Sequence, residues 1–370
     1  MKDHYHILLA LAWYHSEVHR GVNAFAREHH CHVSCSMTHY TEYFPESWQG
    51  DGVITNLWSE KYLNFAQNLN CPMVGIGKGE DKYYTIQADH HAIAEMIADH
   101  LMERGFQHFA WYIHLDTKGA LHKRFSLFQE ILKSRGFDCH YIIAASDSLS
   151  IKEKQQFMAK QLKALPKPLG VMVPEDNSAM ELISLCLRTG IYVPEEVSIV
   201  STENDELVCE GSYISLSSVE PNHFQIGYQA MEKLFAQIKG HVPEQHTLIQ
   251  PLKVITRQSS DVMAVKNLQV AKALSFIKEN YLSPISVDDI VASTKLSKCG
   301  LFKAFQSNLK RTPGDELLRV RLDKAQELLL NTDLPVKEIA LQSGFNDYLR
   351  MYKSFVRKLE KIPKEIRQSK

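Results

Sequence analysis

The sequence predicts an α/β fold of two lobes with parallel, doubly wound sheets, followed by an all-α domain of two tandem helix-turn-helix units. Three observations predict it. Short apolar runs alternate with amphipathic stretches of about 10–15 residues through the first two hundred residues, the pattern of β-α-β units. Two passages near the C-terminus repeat one another. Charge is also divided between the two regions.

Taken in order, Ile7–Leu11 is a buried strand and Glu17–His29 an amphipathic helix. Val33–Met37, Gly52–Thr55 and Met73–Ile76 are further strands. A helix over His90–Arg104 stops at Gly105, and Phe109–Ile113 returns to strand. Phe125–Arg135 is helical up to Gly136, and the strands Tyr141–Ile143, Gly170–Val173 and Val197–Val200 follow, with a helix over Ala179–Arg188 between the last two. The alternation is long enough for two lobes. Residues 240–266 are expected to form the connection to the second domain. That places the domains at 1–260 and 261–370.

The repeat has a period near fifty. Val287 pairs with Val336 and Ile290 with Ile339, 49 apart, and Leu301 pairs with Met351 and Phe305 with Phe355, 50 apart. Short helix, tight turn and longer helix make each copy a helix-turn-helix. Ser286 and Ser297 stand at N-cap positions, with Asp288 and Asp289 in the first turn. Gly344 can take the positive φ of the second turn, and Asn346 is expected to cap the helix that carries Leu349, Met351, Tyr352 and Phe355. Thr312-Pro313 opens the joining helix, with Leu317, Leu318, Leu322, Ala325, Leu328 and Leu329 on one side.

The net charge of −1 conceals an asymmetry. Residues 264–370 carry 20 Lys and Arg against 12 Asp and Glu, whereas the remainder carries 22 against 31. A basic C-terminal domain on an acidic body suits contact with a polyanion through one end. Seven cysteines without regular pairing, no signal segment and no long apolar run point to a reduced, cytoplasmic chain outside the membrane. No P-loop, nucleophile elbow or dinucleotide fingerprint is present, so no cofactor is expected, and Gly75-x-Gly77-x-Gly79 reads as a loop. His29-His30-Cys31-His32-x-x-Cys35 is rich in soft ligands, but a helix end and an alternating strand do not make them converge, so no metal is expected.

Residues 286–366 resemble the AraC/XylS DNA-binding module through Leu301–Phe305, Pro313, Arg321-Leu322-x-x-Ala325-x-x-Leu328-Leu329, Val336-x-x-Ile339-Ala340, Gly344-Phe345-x-Asp347, Phe355 and Pro363-x-x-Ile366-Arg367. Lys310 and Glu360 stand where that family commonly has Gly, and Ile366 where it has Tyr. The resemblance implies that Cys299, Phe302 and Lys303 face the major groove in the first unit, and Tyr348, Leu349, Tyr352 and Lys353 in the second, with Arg350 near the backbone. Lys298 is either a phosphate contact or merely solvated. A structural alternative puts Phe302, Leu349 and Tyr352 in the core and leaves only the cations on DNA.

The first 260 residues resemble the LacI-type sensor, itself similar to periplasmic sugar-binding proteins. The matching stretches are Asp51–Ile54, Asp89, Gly105–Phe109, Glu175-Asp176, Val193–Ser198 and Ser217–Val219 through Ile226-Gly227. Sensor first and AraC-type reader last resembles the family of xylose-operon activators. In such a fold a polar ligand sits between the lobes at the C-terminal ends of strands. There Trp13 or Tyr14 can stack on the C–H face of a sugar ring while His15 and Ser16 hydrogen-bond its hydroxyls. Arg124, Glu175, Asp176, Glu203 and Asn204 match charged or amide positions of sugar-binding relatives. Relatives show Asn-Asp at 175–176 and Asp with Asp or Asn at 203–204, so the identity of the sugar is not inherited. For each residue a structural role is the competing reading, most of all for Asp89 and Asp176.

The expectation is a DNA-binding transcription regulator, an activator of a catabolic operon that answers to xylose or a related sugar. Its partners are operator DNA, a small sugar effector (a pentose favoured), a second copy of the chain in a homodimer, and RNA polymerase. Two alternatives compete: a sugar-processing α/β enzyme fused to a DNA-binding module, and a DNA-binding protein without ligand control.

Overall fold

The computed structural model describes residues 4–35, 48–57, 59–77, 83–113, 120–143, 148–265, 267–359 and 361–368. The chain divides into two compact units. The first holds Met1–Val193 with Val197–Asp261, and the second Pro194–Glu196 with Val262–Lys370.

The first unit begins β1 (Tyr5–Ala10), α1 (Ser16–Glu28), β2 (Cys31–Ser34), β3 (Gly52–Asn56), α2 (Glu60–Asn68), β4 (Met73–Ile76) and β5 (Tyr84–Ala88). It continues α3 (His90–Glu103), β6 (His108–Ile113), α4 (Ala120–Ser134), β7 (Cys139–Ile143), α5 (Ile151–Ala164), β8 (Leu169–Met172), α6 (Asp176–Thr189) and β9 (Val197–Thr202). It ends α7 (Glu206–Cys209), β10 (Ser217–Glu220), α8 (His223–Ile238), β11 (His246–Ile249) and β12 (Lys253–Ile255).

The strands form two six-stranded sheets, ordered β11-β5-β4-β3-β1-β2 and β12-β10-β9-β8-β6-β7. Every pairing is parallel except that of β12 with β10. Parallel central strands are covered on both faces, so they are apolar without alternation. Ile7, Leu8 and Leu9 of β1 are completely buried, as are Leu169, Val171 and Met172 of β8. Each such side chain contributes about 1.5–3 kcal/mol by leaving water. In the second sheet this core runs from Ala110 and Ile142 to Leu182, Ile183 and Ile199.

The chain crosses between the lobes three times, after β5, after β10 and between β11 and β12. The crossings are tied together: Asp89 N–H donates to the Ile249 carbonyl, Gln250 Nε2 to Asp89 Oδ2 (both 2.8 Å), and Leu252 N–H to the Glu220 carbonyl (2.8 Å). Residues 246–255 therefore complete both sheets, one strand in each, rather than forming a connection. These strands are sheet edges, half open to water, and His246, Thr247 and Lys253 interrupt any apolar run in them. The second crossing delivers α8 back onto α1 in the first lobe. The two helices touch through glycine: a Cβ at Gly227 would lie 1.9 Å from the Val18 carbonyl oxygen, and one at Gly21 2.0 Å from that of Phe224.

The second unit is helical: α9 (Leu268–Asn280), α10 (Val287–Ala292), α11 (Lys298–Leu309), α12 (Pro313–Asn331), α13 (Val336–Gln342), α14 (Tyr348–Leu359) and α15 (Pro363–Gln368). Ser286 and Asp289 close a capping box on α10, and Ser297 and Thr312 cap α11 and α12. Ile290, Leu301, Phe305 and Leu317 pack with α9 in one core, and Leu322, Ala325, Ile339, Met351 and Phe355 make a second. Helix α12 thus serves both helix-turn-helix units, its start in one core and its end in the other. Gly344 turns at φ +81°, where a Cβ would meet the Tyr281 carbonyl oxygen at 2.1 Å.

Three local expectations change. Asp347 rather than Asn346 caps α14, since its Oδ1 accepts the Arg350 N–H at 2.8 Å while Asn346 stays in the turn. Gly75 lies inside β4, Gly77 turns at φ +98°, and Gly79 is outside the described residues. The second strand ends at Ser34, and Ser36-Met37 are also outside them. No described helix is long and apolar enough to cross a membrane.

Candidate functional site

The carboxyl ends of the parallel strands deliver side chains from both lobes to one place, as the topology of a doubly wound sheet requires. On the first lobe, the loop after β1 is fixed by Asn56 at the end of β3, whose Oδ1 accepts the N–H groups of Ala12 (2.9 Å) and Trp13 (3.3 Å). That sets His15 at the N-cap of α1, where its Nδ1 accepts the Glu17 N–H at 3.2 Å. The first residue of α8 is His223, and its ring lies against that of His15, tilted by 36° with centroids 3.8 Å apart. Trp13 leans against both imidazoles, at 5.3 and 5.5 Å, and keeps 38% of its surface exposed.

The second lobe supplies a buried cation with its counter-ion. Arg124 of α4 is only 7% exposed. Its Nη1 donates to the Pro174 carbonyl (2.8 Å), Thr202 Oγ1 (2.7 Å) and Glu203 Oε1 (2.9 Å), and its Nε donates to His90 Nδ1 at 3.0 Å. The other carboxylate oxygen of Glu203 lies 3.2 Å from His223 Nε2. One carboxylate therefore joins the lobes. Glu203 is held at φ +105° and Asn204 at +49°, conformations that cost a residue with a Cβ about 1–3 kcal/mol. Non-glycine residues in that region persist where surroundings over-determine them, as the pincer on the Glu203 carboxylate does here.

Electrostatics follow from this packing. Burial pushes the Glu203 pKa upward, but the Arg124 charge and the His223 hydrogen bond outweigh it and hold the carboxyl well below its ordinary value. Burial, with His223 alongside, lowers His15 to about 4, so its ring is neutral near pH 7. Asp176 is raised to about 6 by burial, against hydrogen bonds from Ser201, Ser218 and the Asp205 N–H.

Of the residues expected at a ligand, Trp13, His15, Arg124 and Glu203 converge. Ser16 is the exposed first residue of α1. Glu175 precedes α6 and accepts from Ser178 Oγ at 2.7 Å. Asp176 is 3% exposed and gathers Ser201, Ser218 (2.7 Å), the Asp205 N–H (2.8 Å) and the Cys209 thiol, which together brace one lobe from inside. The Asn204 amide is engaged at both ends: its Nδ2 donates to Glu220 (2.8 Å) and its Oδ1 accepts from Arg257 (3.0 Å). Sequence reasoning missed His223, His90 and Thr202. The only trace of His223 is its place after Pro221-Asn222, where strand β10 gives way to a helix. Among the described residues no cluster of three or more His, Cys, Asp or Glu is arranged to hold a metal ion.

In the helical unit the second helix of each repeat presents a polar face. Lys303 is exposed and Phe302 half-buried on α11, and Cys299 is exposed. Lys298 pairs with Asp288 at 2.8 Å. On α14, Leu349 is 64% exposed and so is not core, while Arg350 and Lys353 are open to solvent. Tyr348 packs against the second core and touches Tyr352, which is half-buried.

Residues 98–260 match the family model of a periplasmic binding protein-like domain, and residues 290–369 that of a helix-turn-helix domain. The xylose operon regulatory protein of Haemophilus influenzae is 30% identical to this chain over 335 residues, which are 86% of this chain and 84% of the relative. The chain belongs to the xylose operon regulatory protein family. It is a DNA-binding transcription regulator with a helix-turn-helix domain of the AraC type. The relative from Escherichia coli K12 is 27% identical over 87% of this chain and 85% of its own. The solved structure of a xylose-binding transcription activator superposes with a TM-score of 0.77 at 24% identity, covering 100% of this chain and 99% of the other. The two chains therefore share the two α/β lobes and the terminal helical domain.

Proposed function

We propose that the chain is a sugar-responsive activator: a small neutral sugar, a pentose such as xylose, binds between the lobes of residues 1–260 and alters operator binding by residues 261–370. The observation that carries this reading is the Arg124–Glu203–His223 chain with Trp13 beside it. It is a charge-compensated, hydrogen-bonding wall with an exposed aromatic face, which suits a ring with polar edges and apolar C–H faces. Relatives named for the xylose operon support the choice of sugar.

Ligand contacts fall to Trp13, His15, Arg124 and Glu203, with Ser16 and Glu175 at the margin; Asp176 and Asn204 act from behind as braces. DNA contacts fall to Cys299, Phe302 and Lys303 of α11, and to Leu349, Tyr352 and Lys353 of α14. Lys298, Tyr348 and Arg350 flank them. Sugar changes the relative populations of open and closed sensor. The chain works in the cytoplasm as a homodimer on adjacent half-sites and contacts RNA polymerase there. This reading gives it no catalytic step, and consumption of sugar on incubation would revive the enzyme alternative.

Thermal melting of the full chain against pentoses, hexoses and their phosphates tests the reading. A ligand at a hundred times its Kd adds about 2.7 kcal/mol to stability. A shift with a neutral pentose, joined to a changed affinity for operator DNA, is the expected result. No shift with any neutral sugar refutes it.

A further inference from the structure

The touching imidazoles of His15 and His223 carry an observation that the charge network does not use. His15 is 6% exposed and His223 4%, and each keeps one buried ring nitrogen, His15 Nε2 and His223 Nδ1, without a hydrogen-bond partner. The Glu203 carbonyl is near enough to His15 to favour its protonated form but does not satisfy that nitrogen in hydrogen-bonding geometry. A buried polar atom left unpaired is costly, so two such atoms on touching rings require an explanation.

The bonds already made fix what each orphan offers. His15 Nδ1 accepts from the Glu17 N–H, so in the neutral ring the proton sits on Nε2, and that orphan is a donor. His223 Nε2 faces the Glu203 carboxylate, which can only accept, so Nε2 carries the proton and the neutral ring's Nδ1 is an acceptor. One donor and one acceptor therefore stand side by side. A hydroxyl is the group that both accepts and donates, and so is a pair of neighbouring hydroxyls. A carboxylate or phosphate only accepts, and would set its oxygen against a lone pair on His223 with the Glu203 charge behind it. The Arg124 charge is already matched by Glu203.

We propose that His15 Nε2 and His223 Nδ1 form a donor–acceptor pair that reads one hydroxyl, or two neighbouring hydroxyls, of the effector, and so selects uncharged polyhydroxy ligands over their oxidised or phosphorylated counterparts. The inference rests on the cleft reading above and adds to it a residue, His223, and a rule of selection.

Calorimetric titration of the full chain with D-xylose at pH 8 tests it. His223→Gln places an amide near the Nε2 position, retaining the contact to Glu203 while removing the acceptor at Nδ1. His223→Asn does the reverse. Loss of one hydrogen bond to a buried group weakens binding roughly ten- to a hundredfold, so His223→Gln is expected to fall by that factor and His223→Asn to recover most of it. D-xylonate and D-xylose 5-phosphate should bind wild type at least tenfold more weakly than D-xylose. In unmutated protein, proton–nitrogen NMR of the histidine rings should show the His223 Nδ1 resonance moving on saturation while that nitrogen stays unprotonated. Equal affinity in His223→Gln, xylonate as tight as xylose, or ring nitrogens indifferent to xylose each overturns the pair while leaving the cleft in place. Failure of wild type to bind any neutral sugar overturns both.

Discussion

Replacing Arg124 by Met removes a buried cation and leaves its counter-ion behind, and the structure sets the size of the effect. Met keeps much of the aliphatic volume, so the loss is mainly polar. Glu203 loses the 2.9 Å contact but keeps His223, and the Pro174 carbonyl still receives Thr202 Oγ1 at 2.7 Å. His90 Nδ1 loses the donor at 3.0 Å. Breaking a buried pair by deleting one member costs about 3–5 kcal/mol; with Glu203 17% exposed and still partnered, the lower end applies, about 3 kcal/mol. The cost depends on pH. Glu203 has a folded pKa below its usual 4.5, so the pair's contribution is complete above that value and disappears as pH falls through the folded pKa. The variant should therefore be most destabilised near neutrality and approach wild type in acid. All four tryptophans, Trp13, Trp48, Trp58 and Trp111, lie in the first unit, so urea unfolding followed by their fluorescence reports on the sensor. Adding Glu203→Gln to Arg124→Met should recover at least about 1 kcal/mol, because the stranded charge is gone. A single-variant cost below about 1 kcal/mol, or one unchanged by Glu203→Gln, would refute the account.

Other perturbations have equally definite outcomes. Gly227→Ala drives a Cβ into the Val18 carbonyl at 1.9 Å, backbone against backbone, and should cost about 3 kcal/mol or more, seen as a fall of several degrees in the sensor's Tm; an unchanged Tm sinks the claim of close helix approach. Lys310 ends α11 at φ +55°, where glycine is free of strain, so Lys310→Gly should stabilise the helical unit by about 1 kcal/mol in circular dichroism melts, and a loss of stability would contradict it. For DNA, Lys303→Ala and Lys353→Ala should each lower the slope of log affinity against log salt by about 0.9 on an operator selected in vitro, if each lysine neutralises one phosphate; an unchanged slope removes that lysine from the interface.

What the sequence disclosed follows from which forces are local. Met73–Ile76 is found at its true limits because a strand covered on both faces must be apolar throughout. The edges β11 and β12 carry water on one side, so their pattern in the sequence is that of a loop. Capping is local too: Ser286, Ser297 and Thr312 are legible, yet one residue decides between Asn346 and Asp347, and only the geometry of the Arg350 N–H settles it. At the site, His15 is legible because it lies in the first loop after a strand, just before a helix. Arg124 came only through resemblance, since nothing in its own helix marks it. His223 had no such signal. It reaches His15, more than two hundred residues earlier, because α8 returns across the second crossing and two glycines let it lie against α1.

The placement of Glu203 gives the cleft a mechanical reach that its charge alone would not. Glu203 meets Arg124 and His223, and the next residue, Asn204, grips Glu220 at the second crossing and Arg257 beyond β12. Both residues hold positive φ, so the turn has little freedom to absorb a displacement of the carboxylate. Glu220 in turn accepts the Leu252 N–H through its carbonyl and the Asn222 N–H through its side chain, just before His223. A ligand that shifts the Glu203 carboxylate therefore acts, within two residues, on the segments through which the lobes are joined. A site set on free loops would need long-range strain to move a hinge. Here Glu203 and the second crossing share one turn, and under the proposed function a differential affinity for two sensor states requires only that a sugar prefer one position of Glu203 over the other.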